Sequence, residues 1–484
     1  MMDTNPRLTL DPVQMTALGD DAVRAVVDHY ISLPDRPIGA TSTATELGDI
    51  LHEPLPAQGD DPHKVLDVVR ERVLSQIVAQ DHPRYFATVP SASNFVAVVA
   101  DTLASGFNVF AGNWAEGSGP AAVELAALRW LREMCGLPEG GGLFTTGGSM
   151  ANLTALATAR YNRLGDRGLA RGTLYVTEQS HSCFIRSARI LGMEPEQLRM
   201  VPTREDLTMD VAALREMLRA DRAEGWRPFC VVANVGTTRT AAVDPLPELA
   251  RVCREEEIWL HGDGAFGAAA AIIPEGRRAL SGIEELDSLS IDPHKWWFQP
   301  FEIGGLLVKD ARTLRDTYRV VPDYLADLDA DENEINFYDH GIQLTRSFRA
   351  LKLWMSLKTF GADSFRAAVD GAFRRAERLA GRIVAEPGWR VETGPQLATL
   401  TFRYTGGSPG GEGGTEALNE VNRAIADHTM ASNRIGLHTT AVHGRTVLRI
   451  CMINPRTTAQ DEDALLDVLR EAVRAVVPAE RQGA

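Results

Sequence analysis

Ser290-Ile291-Asp292-Pro293-His294-Lys295-Trp296-Trp297 sets one lysine between a histidine and two tryptophans, just after the apolar run Glu285–Ile291. The run reads as a short buried strand and Pro293 as the break that turns the chain. A lysine held there among rings that exclude water loses solvation of its ammonium form, so its pKa is expected to fall. A neutral amine near neutral pH is what capture of a carbonyl carbon as a Schiff base requires. The same residues also fit a surface lysine whose stem lies over two aromatic rings. The rest of the chain decides between the two.

Working outward, short apolar runs alternate with helical stretches between Leu143 and Lys309. Strands are expected at Thr173–Thr177, Phe229–Asn234, Ile258–Asp263, Leu286–Ile291 and Gly305–Val308, and helices at Met150–Leu164, Asp210–Ala220 and Leu246–Glu256. This alternation predicts an α/β unit with a mostly parallel sheet covered by helices. In such sheets ligands bind beyond the carboxyl ends of the strands, and Thr177, Asn234, Asp263 and Lys295 all fall at or just after such ends. Upstream, helices are expected from Pro12 to about Ile31 and from Pro62 to Ala79, with no core of their own; these predict a face that packs on another domain or subunit. Two further helices are expected at Asn94–Ser105 and Pro120–Cys135. Downstream, a long helical segment from Phe348 to Glu386 leads to a smaller unit with strands at Gln396–Tyr404, Gly436–Val442 and Thr446–Met452, and helices at Glu416–Met430 and Thr458–Val476. Gly406–Gly414 reads as a solvated loop.

The 484 residues carry a net charge of -15, which disfavours nucleic acid or an anionic membrane as partner. The 5 cysteines are scattered and odd in number, with no paired spacing, so neither a zinc site nor a disulfide framework is expected, and no metal. With no apolar stretch resembling a leader or a membrane span, the expected location is cytoplasmic.

Three further segments bear chemistry. Phe144-Thr145-Thr146-Gly147-Gly148-Ser149-Met150 runs from an apolar stretch into a helix, and its glycines and open helix start suit an anion, most simply a phosphate. It also fits a tight turn capped by Ser149. His261-Gly262-Asp263-Gly264-Ala265 ends a strand with a carboxylate among small residues, leaving room for a flat ligand whose ring nitrogen Asp263 could keep protonated. An aspartate that caps a turn is the plainer reading. His181 follows another strand, where an imidazole can stack on a ring or move a proton.

Taken together, the segments TTGGSMAN, HGDGAFG and PHKW, with the HPRYF opening and the late Ser347-Phe348-Arg349, resemble the group II pyridoxal-phosphate-dependent amino-acid decarboxylases, from about His82 to the C-terminus. The resemblance implies a pyridoxal-phosphate-dependent, aspartate-aminotransferase-like fold: an N-terminal helical dimerisation segment (1–90), a large cofactor domain with a mostly parallel seven-stranded sheet (91–365) and a small C-terminal α+β domain (366–484). It implies pyridoxal 5'-phosphate as cofactor, an amino-acid substrate, and a homodimer with its active site at the subunit interface. Lys295 would carry the cofactor, Asp263 would pair with its ring nitrogen, and Ala265 and His181 would flank its ring. Gly147, Gly148, Ser149 and His294 would hold the phosphate, and Thr238 would lie near the phenolic oxygen or Asp263. Pro90, Ser91, Trp114 and Arg349 are the implied substrate contacts. The loop Thr88–Ser93 looks like the aromatic and histidine version, so aromatic L-amino acids are the expected substrates, with acidic ones as the alternative.

In this family a tyrosine on a mobile loop returns the proton. The matching segment is Asp327–Gly341. Ungapped counting from Phe348 puts Phe337 at the tyrosine's position, which in plant relatives accompanies aldehyde formation, whereas a gap of one residue puts Tyr338 there. Lids tolerate such length changes, and Tyr338 is the favoured choice. Met150, Gly262 and Gly264 depart from the family pattern without removing a catalytic group.

Overall fold

Eleven strands form two sheets in the computed structural model, which describes residues 8–320, 334–406 and 414–477. The larger sheet is built from β1 (Gly141–Thr145), β2 (Gly172–Thr177), β3 (Leu198–Val201), β4 (Arg227–Asn234), β5 (Trp259–Asp263), β6 (Ser288–Ile291) and β7 (Gly304–Val308). Its order is β1-β7-β6-β5-β4-β2-β3, parallel from β6 to β3, with β7 antiparallel to both its neighbours. In β4 every residue after Arg227 is buried, because helices cover both faces of the sheet; a parallel strand so placed reads as one continuous apolar run.

Register carries the fold into the site. Asn234 pairs with Asp263, and Asp263 with Ser290, so the carboxyl ends of β4, β5 and β6 form one polar row. On the other side Thr145 pairs with Gly304, which lays the turn after β1 against the start of β7.

The smaller sheet, β8 (Trp389–Gln396), β9 (Thr399–Tyr404), β10 (His438–Val442) and β11 (Arg445–Cys451), is antiparallel throughout, in the order β10-β11-β9-β8. Helices Gly414–Ala431 and Ala350–Ala385 pack on it, and helix Ala459–Val476 packs against the first of these. Helix Ala350–Ala385 joins the two sheets and breaks at Gly361, whose φ of 72° needs a residue without a Cβ. Among the described residues no helix is long and apolar enough to cross a membrane.

Four expectations need correction. β1 and β3 were absent from the expected strands: β1 opens on two glycines, and β3 is an edge strand with only Val201 buried. The strand expected at Gln396–Tyr404 is two strands, since the chain reverses at Leu397 and Ala398, both at positive φ although neither type favours it. The helix expected over Pro62–Ala79 ends at Val68 and continues only as a π turn and a 3₁₀ turn. Finally, the helix expected from Pro120 starts at Trp114, capped by Asn113, and kinks at Gly117, which lets Pro120 sit inside it.

Candidate active site

Beyond the polar row lies a cavity of about 350 Å³. Its wall includes Gly147, Gly148, Ser149, His181, Thr238, Asp263, Ala265, His294 and Lys295, so every expected cofactor contact reaches one space. Asp263, at the end of β5, accepts hydrogen bonds from Ser290 Oγ at 3.1 Å and from the Ala265 amide at 3.3 Å. Both bonds orient the carboxylate without neutralising it. His181 Nδ1 accepts from the Cys183 amide at 3.2 Å, which fixes the imidazole at the start of the next helix.

The charge on Lys295 differs from expectation. Burial works against its ammonium, yet the Asp292 carboxylate, 2.9 Å from Nζ, with Asp263 beyond it, outweighs that and raises the lysine above its ordinary value. The two tryptophans do not surround the amine. Trp296 stacks on Phe266 with ring centroids 5.3 Å apart, and Trp297 packs beside Phe365 at 6.0 Å, so both are anchors in the core. They fix the turn that carries Lys295, while Asp292 sets its charge. Burial lowers the pKa of His294; Asp292 pulls it up and Lys295 pushes it further down.

Asp292 was missed in the sequence. It is 2% exposed, and Oδ1 has no hydrogen-bond partner among the described residues. An acid three residues before the lysine, on the far side of a proline turn, was the available signal. Asn234, expected at the end of its strand, also reaches the wall, and Asn152, Gln179 and Thr237 reach it without having been singled out. Asn234 donates to Thr177 Oγ1 and to Asp244, tying β2 and β4 together beneath the cavity.

The donor set fits a phosphorylated pyridine aldehyde. Helix Gly148–Leu164 has no side-chain cap at its N-terminus, so its first amides are open to an anion. Space demands glycine at Gly148 and leaves little room at Gly147. A Cβ on Gly148 would stand 2.8 Å from Asp292 Oδ2 and 2.9 Å from Ala265 Cβ, and one on Gly147 would stand 3.3 Å from the His294 ring. The remainder of the wall offers one amine, one acid for a ring nitrogen, and one imidazole.

The expected substrate residues are not gathered with them. Pro90, Ser91, Trp114, Arg349 and Tyr338 lie outside this wall. Ser91 comes nearest, its Oγ donating to the His294 carbonyl at 2.6 Å. Trp114 opens the helix that Asn113 caps, and its amide donates to Asn336 Oδ1 at 3.0 Å. Arg349 faces a separate cavity beside Lys352 and pairs with Glu302 at 3.2 Å. Of the expected lid, residues 327–333 lie outside the described residues, as does most of the Gly406–Gly414 loop. The Tyr338 amide donates to the Gly112 carbonyl at 3.0 Å, and the Phe337 ring is buried beneath the Arg346 guanidinium, 4.9 Å from it.

Comparison with known proteins agrees with this geometry. The family described as "Pyridoxal-dependent decarboxylase conserved domain" matches residues 45–405. An aromatic-L-amino-acid decarboxylase of Bacillus atrophaeus is 41% identical over 456 residues, covering 94% of each chain. A phenylacetaldehyde synthase of Arabidopsis thaliana is 27% identical over 475 residues, covering 96% of each. The crystal structure of Oryza sativa TDC with PLP and tryptamine superposes with a TM-score of 0.92 at 27% identity, over 98% of this chain and 100% of that one.

Proposed function

We propose, from the premise that this chain belongs to the pyridoxal-dependent decarboxylase family, that it converts aromatic L-amino acids to the corresponding amines and carbon dioxide. The observation that carries this reading is that Lys295 and Asp263 share one cavity with an uncapped helix start, while no arginine of the described residues enters its wall. A side-chain carboxylate on the substrate would call for such a cation. Relatives named for tryptophan and tyrosine decarboxylation support the aromatic class.

Pyridoxal phosphate supplies an aldehyde that captures the substrate amine and a ring that takes up the electron pair left as carbon dioxide departs. Lys295 would hold the cofactor covalently. The amides at Gly148 and Ser149, with His294 beside them, would bind its phosphate. Asp263, oriented by Ser290, would keep a proton on the ring nitrogen and so strengthen the ring's pull on electrons. Ala265 and His181 would confine the ring from its two faces.

The test is a product screen over the twenty amino acids with added cofactor, following carbon dioxide, amine and hydrogen peroxide together. Amine from tryptophan, tyrosine or phenylalanine is the expected result; turnover of glutamate or aspartate alone would refute the aromatic reading. A second reading, aldehyde formation with release of ammonia and peroxide, is favoured by Phe337 at the ungapped tyrosine position and by the relative named for phenylacetaldehyde synthesis. Substituting Tyr338→Phe and Phe337→Tyr separates them: loss of amine in the first supports the decarboxylase, and a switch from aldehyde to amine in the second supports the rival.

The working form in this reading is a homodimer. Helix Pro12–Ser32 has no buried residue, and Val13, Met15, Val23, Ile31, Val65 and Val68 leave an apolar surface for a second copy. The five buried, unpaired cysteines support a reducing, cytoplasmic setting.

A further inference from the structure

The carboxyl group of Asp292 sits beneath the turn that would cradle the phosphate. Ideal Cβ atoms on Gly148 and Gly304 would lie 2.8 Å from its Oδ2 and Oδ1, so the acid closes the cavity floor on that side. Without cofactor its charge is answered by Lys295 Nζ at 2.9 Å, and Oδ1 is left without a partner. Few other charges face it. His294 Nε2 stands 3.6 Å from Oδ2, but burial keeps that imidazole below its ordinary pKa and so disposed to neutrality. The other acid of the wall, Asp263, lies at the end of β5, and the neighbours from the helix start and from β7 are the glycines themselves.

Cofactor capture removes the answering charge and brings a phosphate to the same place. An ionised Asp292 would then be a buried anion against a second anion, an arrangement a low-dielectric site penalises strongly. A neutral carboxylic acid has no such cost and offers an O–H to a phosphate oxygen. We propose that Asp292 takes the proton of the Lys295 ammonium when the cofactor is captured, and remains neutral as a hydrogen-bond donor toward the phosphate. The step balances: one proton passes from Nζ to Asp292 Oδ2, the Nζ–carbon bond forms, and the carbonyl oxygen leaves as water with the two remaining amine hydrogens. No oxidant or reductant is required. One side chain would thus stabilise the ammonium while the site is empty, serve as the base that frees it, and pair with phosphate afterwards. This rests on the pyridoxal phosphate reading of the site.

Infrared difference spectroscopy tests it on the whole protein, stripped of cofactor and then loaded with pyridoxal 5'-phosphate. Loading is expected to produce a protonated-carboxyl stretch that shifts in deuterated water and with ¹³C-carboxyl aspartate. The same band should be missing from Asp292→Asn. Because the isotope shift is read on the wild type, the result stands even if the variant folds poorly. Cofactor uptake by the wild type without such a band overturns the role of Asp292 alone, as does a band that persists in a loaded Asp292→Asn protein. Failure of the wild type to take up cofactor at all overturns it together with the reading of the site.

Discussion

Arg346 Nη2 and Glu124 Oε1 meet at 2.6 Å with side chains 2% and 1% exposed, forming an ion pair that joins three parts of the chain behind the cavity. Glu124 accepts the Phe144 amide at 2.9 Å, so it holds β1, which leads directly into the phosphate turn. Arg346 donates to the carbonyls of Ala111 and Phe144, each at 2.9 Å, and covers the Phe337 ring. The pair therefore links the end of the lid segment to the cradle. Burial makes removal of one partner costly, because the other charge is left unanswered.

Arg346→Ala and Glu124→Ala should each lower unfolding free energy by about 3–5 kcal/mol, and the double substitution by clearly less than the two together. Urea denaturation of the four proteins checks this. Additive losses would show that the pair does not act as a unit.

The cradle makes a separate prediction at Gly148. A methyl group there must displace Asp292 Oδ2 or Ala265 Cβ. Overpacking of this kind costs about 1–3 kcal/mol, which corresponds to roughly a 5- to 150-fold loss of cofactor affinity if borne by the loaded site. Fluorescence titration of Gly148→Ala with pyridoxal phosphate gives the answer. Unchanged affinity would move the phosphate elsewhere.

Asp263→Ala should still take up cofactor, because the amine and the cradle survive, but turnover should fall on the order of 10²–10³-fold, the usual loss when one preorganised electrostatic partner is removed. Ser290→Ala, which removes only the 3.1 Å hydrogen bond to that carboxylate, should cost far less. A wild-type rate for Asp263→Ala, measured at saturating cofactor, would contradict the electron-sink role.

These residues also show how much the chain discloses before folding. Strands β4, β5 and β6 are buried along nearly their whole length, so their apolar runs stood out, and the residues at or just beyond the ends of those runs include Asp263 and Lys295. The turn residues Gly147 and Gly148 were visible as a glycine pair at a helix start, and at Gly148 a side chain has no room. Asp292 was not legible as the lysine's partner: a proline-containing turn must first bring an acid and an amine three positions apart to 2.9 Å. Nor did the sequence reveal which way Trp296 and Trp297 point, although it is Asp292, not the rings, that reverses the expected direction at Lys295. Rings beside a residue in the sequence need not surround it in space.

Assembly is checked at the exposed N-terminal side chains. Val68→Asp combined with Val65→Asp places two charges on side chains that are 53% and 51% exposed in one chain, so the isolated fold should tolerate them. If a second copy covers this surface, sedimentation should show a shift from dimer to monomer at micromolar concentration. A variant that sediments as wild type would place the interface elsewhere.

His340 gives the fold an acid-sensitive point. Burial first, then the charges of Arg346 and Arg315, push its pKa down to about 4, although a weak bond to the Gly142 backbone pulls the other way. The ring packs edge-on against Phe337, with centroids 5.8 Å apart, and so belongs to the assembly held by Arg346. The unfolded chain takes up this proton near the ordinary histidine value of about 6.5, whereas the folded chain resists until about 4. Stability from the neutral ring is therefore complete above about 6.5 and is lost as pH falls toward 4, amounting to roughly 3 kcal/mol across that window. Replacing His340 by Gln removes the titration, so the unfolding free energy of the variant should decline less between those pH values, by about that amount. Parallel curves for the two proteins, followed by urea denaturation from pH 7.5 to 4 in steps of roughly half a unit, would show that His340 is protonated in the folded chain as readily as in the unfolded one.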